Sequence, residues 1–136
     1  KKNIEILFES FRPVVAQVDE VKLTQVISNL VENAIKYNNM DGWVHVSLNA
    51  DHQFFYVRVE DSGIGIPKDS QGKVFERFYR VDKARSRETG GTGLGLSIVK
   101  NIILMHHGTI KLYSEEGMGT TFTFRIPLNY VEEDEK

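Results

Sequence analysis

Leu23, Val26, Ile27, Leu30, Val31, Ala34 and Ile35 recur at steps of three and four. An α-helix turns once in about 3.6 residues, so this spacing draws one apolar stripe along one side of a helix. Such a stripe must be buried against a second layer, which excludes an isolated helix or an extended chain. Asp19 stands ahead of the stripe as an N-cap, and Asn38-Asn39 with Asp41-Gly42 supplies the stop. The spacing predicts a helix over residues 19–37.

The period then changes. Val44, Val46 and Leu48 alternate with polar residues, as do Phe55, Val57 and Val59, and both runs read as half-buried strands. Residues 109–113 and 120–127 read as a closing hairpin, and residues 4–8 and 14–18 as short strands near the start. A second helix is predicted from about Gly95 to His106, stopping at Gly108, and a short one around residues 73–80. Residues 81–93 are rich in charge and glycine with almost nothing to bury, the composition of a mobile loop. Strands and helices in this mixture predict one α/β domain: a two-layer sandwich of a mixed, mostly antiparallel sheet under about three helices. The domain is assigned to residues 1–131, with 132–136 a charged, frayed tail.

Bulk properties narrow the partners. The chain has 136 residues and a net charge of −2, so it has no basic field to attract nucleic acid. It has no cysteine, hence no disulfide framework or thiolate metal site. No apolar run approaches the ~20 residues of a membrane span, so no direct membrane contact is expected. The first residue is Lys1 rather than Met, and the chain reads as a fragment of something longer, expected to be monomeric.

Three clusters carry potential chemistry. Gly90, Gly91, Gly93 and Gly95 crowd the approach to the second helix. Gly91 and Gly93 open a G-x-G-x-x-G pattern that Leu96 breaks, and Leu96 also stands where a Walker A loop needs lysine. A glycine-rich run into a helix N-terminus remains, suited to an anion or to no more than a flexible turn. On the first helix, Asn29, Asn33 and Lys36 lie within roughly 60° of one another at 100° per residue. They form either a solvated helix face or a site for hydrated Mg²⁺ and phosphate, since a carboxamide oxygen is a hard ligand. Asp61 ends a strand before Ser62-Gly63-Ile64-Gly65, and reads as a turn former or as an acceptor for an exocyclic amine.

Taken together and in order, these pieces resemble the catalytic, ATP-binding domain of bacterial sensor histidine kinases, a family that shares its fold with gyrase and MutL. The N box resembles Asn29-Leu-Val-Glu-Asn33-Ala-Ile-Lys36-Tyr37. The three glycine boxes resemble Asp61-Ser-Gly63-Ile-Gly65-Ile-Pro67, Gly91-Thr-Gly93-Leu-Gly95-Leu and Gly117-Met-Gly119-Thr120. The F box resembles Phe75-Glu-Arg-Phe78-Tyr-Arg80. The resemblance implies that Asn33 ligates Mg²⁺ with Asn29 beside it, that Lys36 and Arg80 reach the phosphates, and that Tyr37 lies near the adenine or ribose. It implies that Asp61 and Thr120 hold the adenine, that Gly63 and Gly65 shape its pocket, and that Gly91, Gly93, Leu94 and Gly95 wrap the phosphates from a lid. It further implies a cytoplasmic domain of a membrane-anchored sensor. ATP and Mg²⁺ would be its cofactors, its own dimerisation and phosphoacceptor domain its direct partner, and a response regulator an indirect one.

In the gyrase branch a glutamate four residues before the metal asparagine activates water. Here that residue is Asn29, and a carboxamide is no general base near neutral pH. Transfer to an external nucleophile is favoured over hydrolysis, with Glu32 the nearest alternative base. The family's acceptor histidine is followed by an acidic residue; none of His45, His52, His106 and His107 is. The acceptor is expected on a separate domain.

Overall fold

In a computed structural model, residues 4–10, 18–72, 74–75 and 96–128 are described. Their elements run β1 (Glu5–Ser10), α1 (Glu20–Lys36), β2 (Trp43–Ala50), β3 (Phe54–Asp61), α2 (Lys68–Gln71), α3 (Leu96–Met105), β4 (Thr109–Glu115) and β5 (Gly119–Pro127). The strands form one five-stranded sheet in the order β1-β2-β3-β5-β4, in which only the β1–β2 pairing is parallel. The helices pack against it, so the layered α/β architecture read from the periods is the one observed.

The α1 helix begins where the N-cap signal lies. The Asp19 side chain accepts from Lys22 N–H at 3.1 Å, satisfying one of the unpaired amides of the first turn. Val26, Leu30 and Ala34 are buried, while Leu23, Ile27, Val31 and Ile35 pack around them at the margin of the core. From α3, Leu96, Val99, Ile102 and Ile103 enter the same core. Burying a side chain of this kind is worth about 1.5–3 kcal/mol, so these two stripes anchor the helical layer.

Strand register sets the opposite wall. Val46 pairs with Val59 and Val59 with Phe122; Val57 pairs with Leu48 and Phe124; Phe55 pairs with Ile126. Because side chains alternate, the row one step towards the end of β3 also faces the helices, and it joins Val44, Asp61 and Thr120. Ser114 extends that row onto β4 as the register partner of Thr120. The core-facing surface of the sheet is therefore apolar along most of its length and polar at one end.

Some local expectations shift. A short helix not singled out in the sequence runs over Lys68–Gln71, its first turn closing on Pro67 through the Ser70 N–H at 2.8 Å; the helix expected around residues 73–80 falls mostly outside the described residues. Residues 73 and 76–80 lie outside the described residues, as do 14–17, where a strand was expected, and the loop at 81–93. The stop of α3 is also more specific than a glycine. His107 takes the left-handed conformation (φ 64°), and the amides of His107 and Gly108 bond back to Leu104 and Ile103 carbonyls at 3.0 and 2.9 Å. That pair of bonds is a Schellman motif.

Candidate functional site

The polar end of the sheet opens into a cleft beneath α1 and α3. Leu30, Asn33, Ala34 and Tyr37 of α1 and its cap line it, with Asp61, Ile64, Gly65 and Ile66 after β3, Leu96 of α3, and Thr120 and Phe122 of β5. The walls are mostly apolar, with polar groups at Asn33, Tyr37, Asp61 and Thr120, as suits a flat, partly polar ligand.

Asp61 occupies a position where alternation calls for an apolar residue. Burial pushes its carboxyl up from the ordinary 3.8 to about 6, against the pull of the Gly63 and Thr120 backbone N–H groups, and the neighbouring Glu60 charge adds a small further rise. The Gly63 amide donates to Asp61 Oδ1 at 2.8 Å and fixes one carboxylate oxygen. A side chain at Gly63 would run into the Tyr37 carbonyl and Asp61 Oδ1, so glycine here lets the segment fold tightly around the acid. Thr120 is 8% exposed, and its hydroxyl lies 2.8 Å from Ser114 Oγ.

Of the residues singled out in the sequence, Asn33, Tyr37, Asp61, Gly65 and Thr120 converge on the cleft, and Gly63 supports Asp61 from behind. Asn29 and Lys36 are half-buried on α1 and do not line the cleft; Glu32 is exposed on the same helix. Arg80, Gly91, Gly93, Leu94 and Gly95 lie outside the described residues.

Sequence reasoning passed over three supports. Asn38 is 1% exposed; its side chain donates to the Trp43 carbonyl at 3.0 Å and accepts from Asn39 N–H at 2.8 Å and Ser62 Oγ at 3.1 Å. It ties the end of α1 to the start of β2 and to the residue after Asp61. His106, 2% exposed, accepts from the Asp19 amide at Nε2 (3.0 Å) and donates from Nδ1 to the Ile102 carbonyl (2.9 Å), pinning α3 to the cap of α1. Ser114 is the third, and the signal for it was its phase: Ile110, Leu112 and Ser114 share one face of β4.

As to metal, no group of three or more His, Cys, Asp or Glu side chains is placed to hold an ion among the described residues. The oxygen donors that line the cleft are the Asn33 carboxamide, the Tyr37 and Thr120 hydroxyls and the Asp61 carboxylate; a carboxamide or carboxylate oxygen is of the hard kind that suits a cation keeping most of its waters.

Residues 18–130 match the family described as histidine kinase-, DNA gyrase B- and HSP90-like ATPases. The sensor histidine kinase WalK of Bacillus subtilis is 48% identical over 126 residues; the match takes in 91% of this chain and 21% of WalK, so the chain spans about a fifth of that relative's length. Among solved structures, the nucleotide-free catalytic domain of histidine kinase ThkA superposes with a TM-score of 0.80 at 32% identity, covering 94% of this chain and 82% of that one. A structure of ThkA in complex with the response regulator protein TrrA matches with a TM-score of 0.74 at 29% identity, over 93% of this chain and 35% of that one. No helix among the described residues is long and apolar enough to cross a membrane.

Proposed function

The chain belongs to the histidine kinase-, DNA gyrase B- and HSP90-like ATPase family, as a catalytic domain of the sensor histidine kinase kind, and on that premise we propose that it binds ATP with Mg²⁺ in this cleft and donates the γ-phosphoryl group to a histidine on a separate helical domain. The observation that carries this reading is the Asp61 carboxylate on the core-facing side of the sheet, at the polar end of an otherwise apolar cleft. An adenine there stacks between apolar walls and donates its amine to Asp61. Asn33 holds Mg²⁺, which when bound neutralises phosphate charge, and Tyr37 lies beside the base or ribose. Lys36, Arg80 and the Gly91–Gly93–Leu94–Gly95 segment serve the phosphates.

Phosphoryl transfer asks the protein chiefly for position and charge stabilisation. Asn29 stands where a hydrolase would need a base, and Glu32 is exposed and does not line the cleft. Both features favour delivery to an outside nucleophile over attack by water. His106 offers no such nucleophile within the chain, since both ring nitrogens are engaged and it is buried. The parent is read as a membrane-anchored sensor with its catalytic part in the cytoplasm. Its acceptor domain is the direct partner, and the phosphoryl group passes onward to a response regulator.

The test combines binding and transfer. ATP is titrated with and without Mg²⁺ into the wild type and into Asn33→Asp and Gly93→Ala, and labelled ATP is then added together with a helical hairpin domain that carries the acceptor histidine. Mg²⁺-dependent binding weakened by both substitutions, with label on the hairpin histidine, is the expected result. Unchanged affinity in every variant, or no phosphohistidine at any concentration, would overturn the reading.

A further inference from the structure

The polar row Asp61–Thr120–Ser114 crosses three strands, and its outermost member does not touch the cleft. Ser114 Oγ nonetheless has three partners. It accepts from the Ile66 amide at 2.8 Å, faces the Gly119 carbonyl at 3.0 Å, and lies 2.8 Å from Thr120 Oγ1. An amide nitrogen can only donate and a carbonyl oxygen can only accept. The single Ser114 proton therefore goes to Gly119, one lone pair takes the Ile66 N–H, and the other is left for the Thr120 O–H. The arrangement that satisfies all three contacts spends the one proton of Thr120 on Ser114.

Ser114 is itself held in place. Gln71 Nε2 donates to the Ile66 carbonyl at 2.8 Å and to the Ser114 carbonyl at 3.0 Å, clamping β4 to the segment that follows Asp61.

With its proton committed, Thr120 turns only lone pairs towards the cleft, and the ionised Asp61 carboxylate likewise only accepts. We propose that Ser114 is a positioning residue for base selection: by holding the Thr120 proton it makes the inner end of the cleft an all-acceptor surface, which admits a purine bearing an amine at that edge and rejects one bearing a carbonyl. This rests on the nucleotide-binding reading above and names the feature of the base that is read. A 6-oxo purine sets its carbonyl lone pairs against two acceptors, with no donor to meet them. Leaving such a group unpaired costs on the order of tenfold or more in affinity.

The probes are ATP and inosine triphosphate, which differ at that edge by a 6-amine against a 6-carbonyl and by a bare N1 against an N1–H, the same N1 change being present in every variant compared; affinities are read by calorimetry on the 136-residue chain. The wild type is expected to prefer ATP. Ser114→Ala frees the Thr120 hydroxyl to rotate and donate into the cleft, and the ATP-over-inosine-triphosphate ratio should fall about tenfold. Ser114→Thr, which keeps the hydroxyl, should restore most of the ratio. Thr120→Val should lower the ratio by itself, and Ser114→Ala added to it should change the ratio no further. If Ser114→Ala proves too unstable to measure, Ser114→Cys, whose thiol is only a weak acceptor, takes its place and should lower the ratio in the same direction; an unchanged ratio there would overturn the proposal.

Equal losses for both nucleotides in Ser114→Ala would show a merely structural role and overturn the proposal. So would an unchanged ratio in Thr120→Val, or a wild type that binds both nucleotides equally. A wild type that binds neither nucleotide would instead overturn the nucleotide-binding reading itself.

Discussion

Asp61 and Thr120 are register partners on β3 and β5, one step beyond the Val59–Phe122 pair, and they carry the apolar core-facing stripe of the sheet into a polar end. The fold holds a carboxylate where its own pattern calls for a Val or Ile. Raising that carboxyl from 3.8 to about 6 corresponds to a cost on the order of 3 kcal/mol for the ionised form.

That cost should be recoverable. Asp61→Asn keeps the shape and the acceptor for the Gly63 amide but removes the charge. At pH 7 it is expected to stabilise the ligand-free chain by about 1–3 kcal/mol and to reduce ATP affinity at least tenfold. The sign follows from linkage. Between about pH 4 and 6 the folded protein keeps a proton that the unfolded chain has lost, so wild-type stability falls as pH rises through that window and then levels off. The advantage of Asn over Asp should therefore shrink to nearly nothing at pH 4. Urea denaturation of both proteins at pH 4 and pH 7 measures it, and an equal difference at the two pH values would contradict the argument.

The same proton competes with the ligand. An amine needs the ionised carboxylate as its acceptor, and protonated Asp61 offers one lone pair fewer and a proton in the way. Affinity for adenosine, which lacks phosphates that would titrate in this range, should be flat above about pH 7 and fall below about pH 6. A titration series from pH 5 to 8 tests this, with Asp61→Asn as the control whose weaker binding shows no such bend.

How far the sequence reached differs between elements. The α1 stripe and the β2, β3 and β5 alternations were legible because each follows one period and ends on turn residues. Asp61 was legible as a candidate from its neighbours, and its inward direction was already implied by the phase of Phe55, Val57 and Val59. Ser114 was not legible as a partner of Thr120, because that contact depends on the β4–β5 register, which pairs residues six apart around a turn. The two ends of the His106 link lie 87 positions apart, so no local pattern shows it. Asn38 looked like a turn residue, and two of its three partners, the Trp43 carbonyl and the Ser62 hydroxyl, appear only when β2 and the end of β3 come together beside it.

His106 sits where the helical layer is joined. Its replacement by Ala removes an acceptor for the Asp19 amide and a donor to Ile102, and leaves a cavity between α1 and α3. The expected loss is about 2–4 kcal/mol, or roughly 10 °C in melting temperature for a domain of this size. His107→Ala, one residue along and exposed, loses no buried side chain and keeps a non-glycine residue in the same left-handed conformation, so it should cost no more than about 1 kcal/mol. Similar losses in the two variants, measured by thermal unfolding, would show that the ring contacts of His106 contribute little.

Gly65 joins the segment after Asp61 to the β4–β5 turn. Its φ is +75°, and a Cβ there would strike the Glu115 carbonyl, while the adjacent Ile64 carbonyl accepts from Gly117 N–H at 2.7 Å. Gly65→Ala must therefore strain the backbone and push the turn away from the cleft floor that Gly65 itself lines. The left-handed conformation costs an alanine about 1 kcal/mol, and the forced separation should bring the total to about 2–4 kcal/mol. Displacing the turn also moves Thr120, which follows directly on Gly119, so ATP affinity should fall at least tenfold. Gly72 is the control, because its added Cβ meets nothing within 4 Å. At the end of α2 its φ is −75°, so Gly72→Ala should leave stability within about 0.5 kcal/mol and affinity unchanged. Thermal unfolding and ATP titration of the two variants side by side measure both effects, and a Gly65→Ala protein that binds ATP like the wild type would show that the turn does not set the floor of the site.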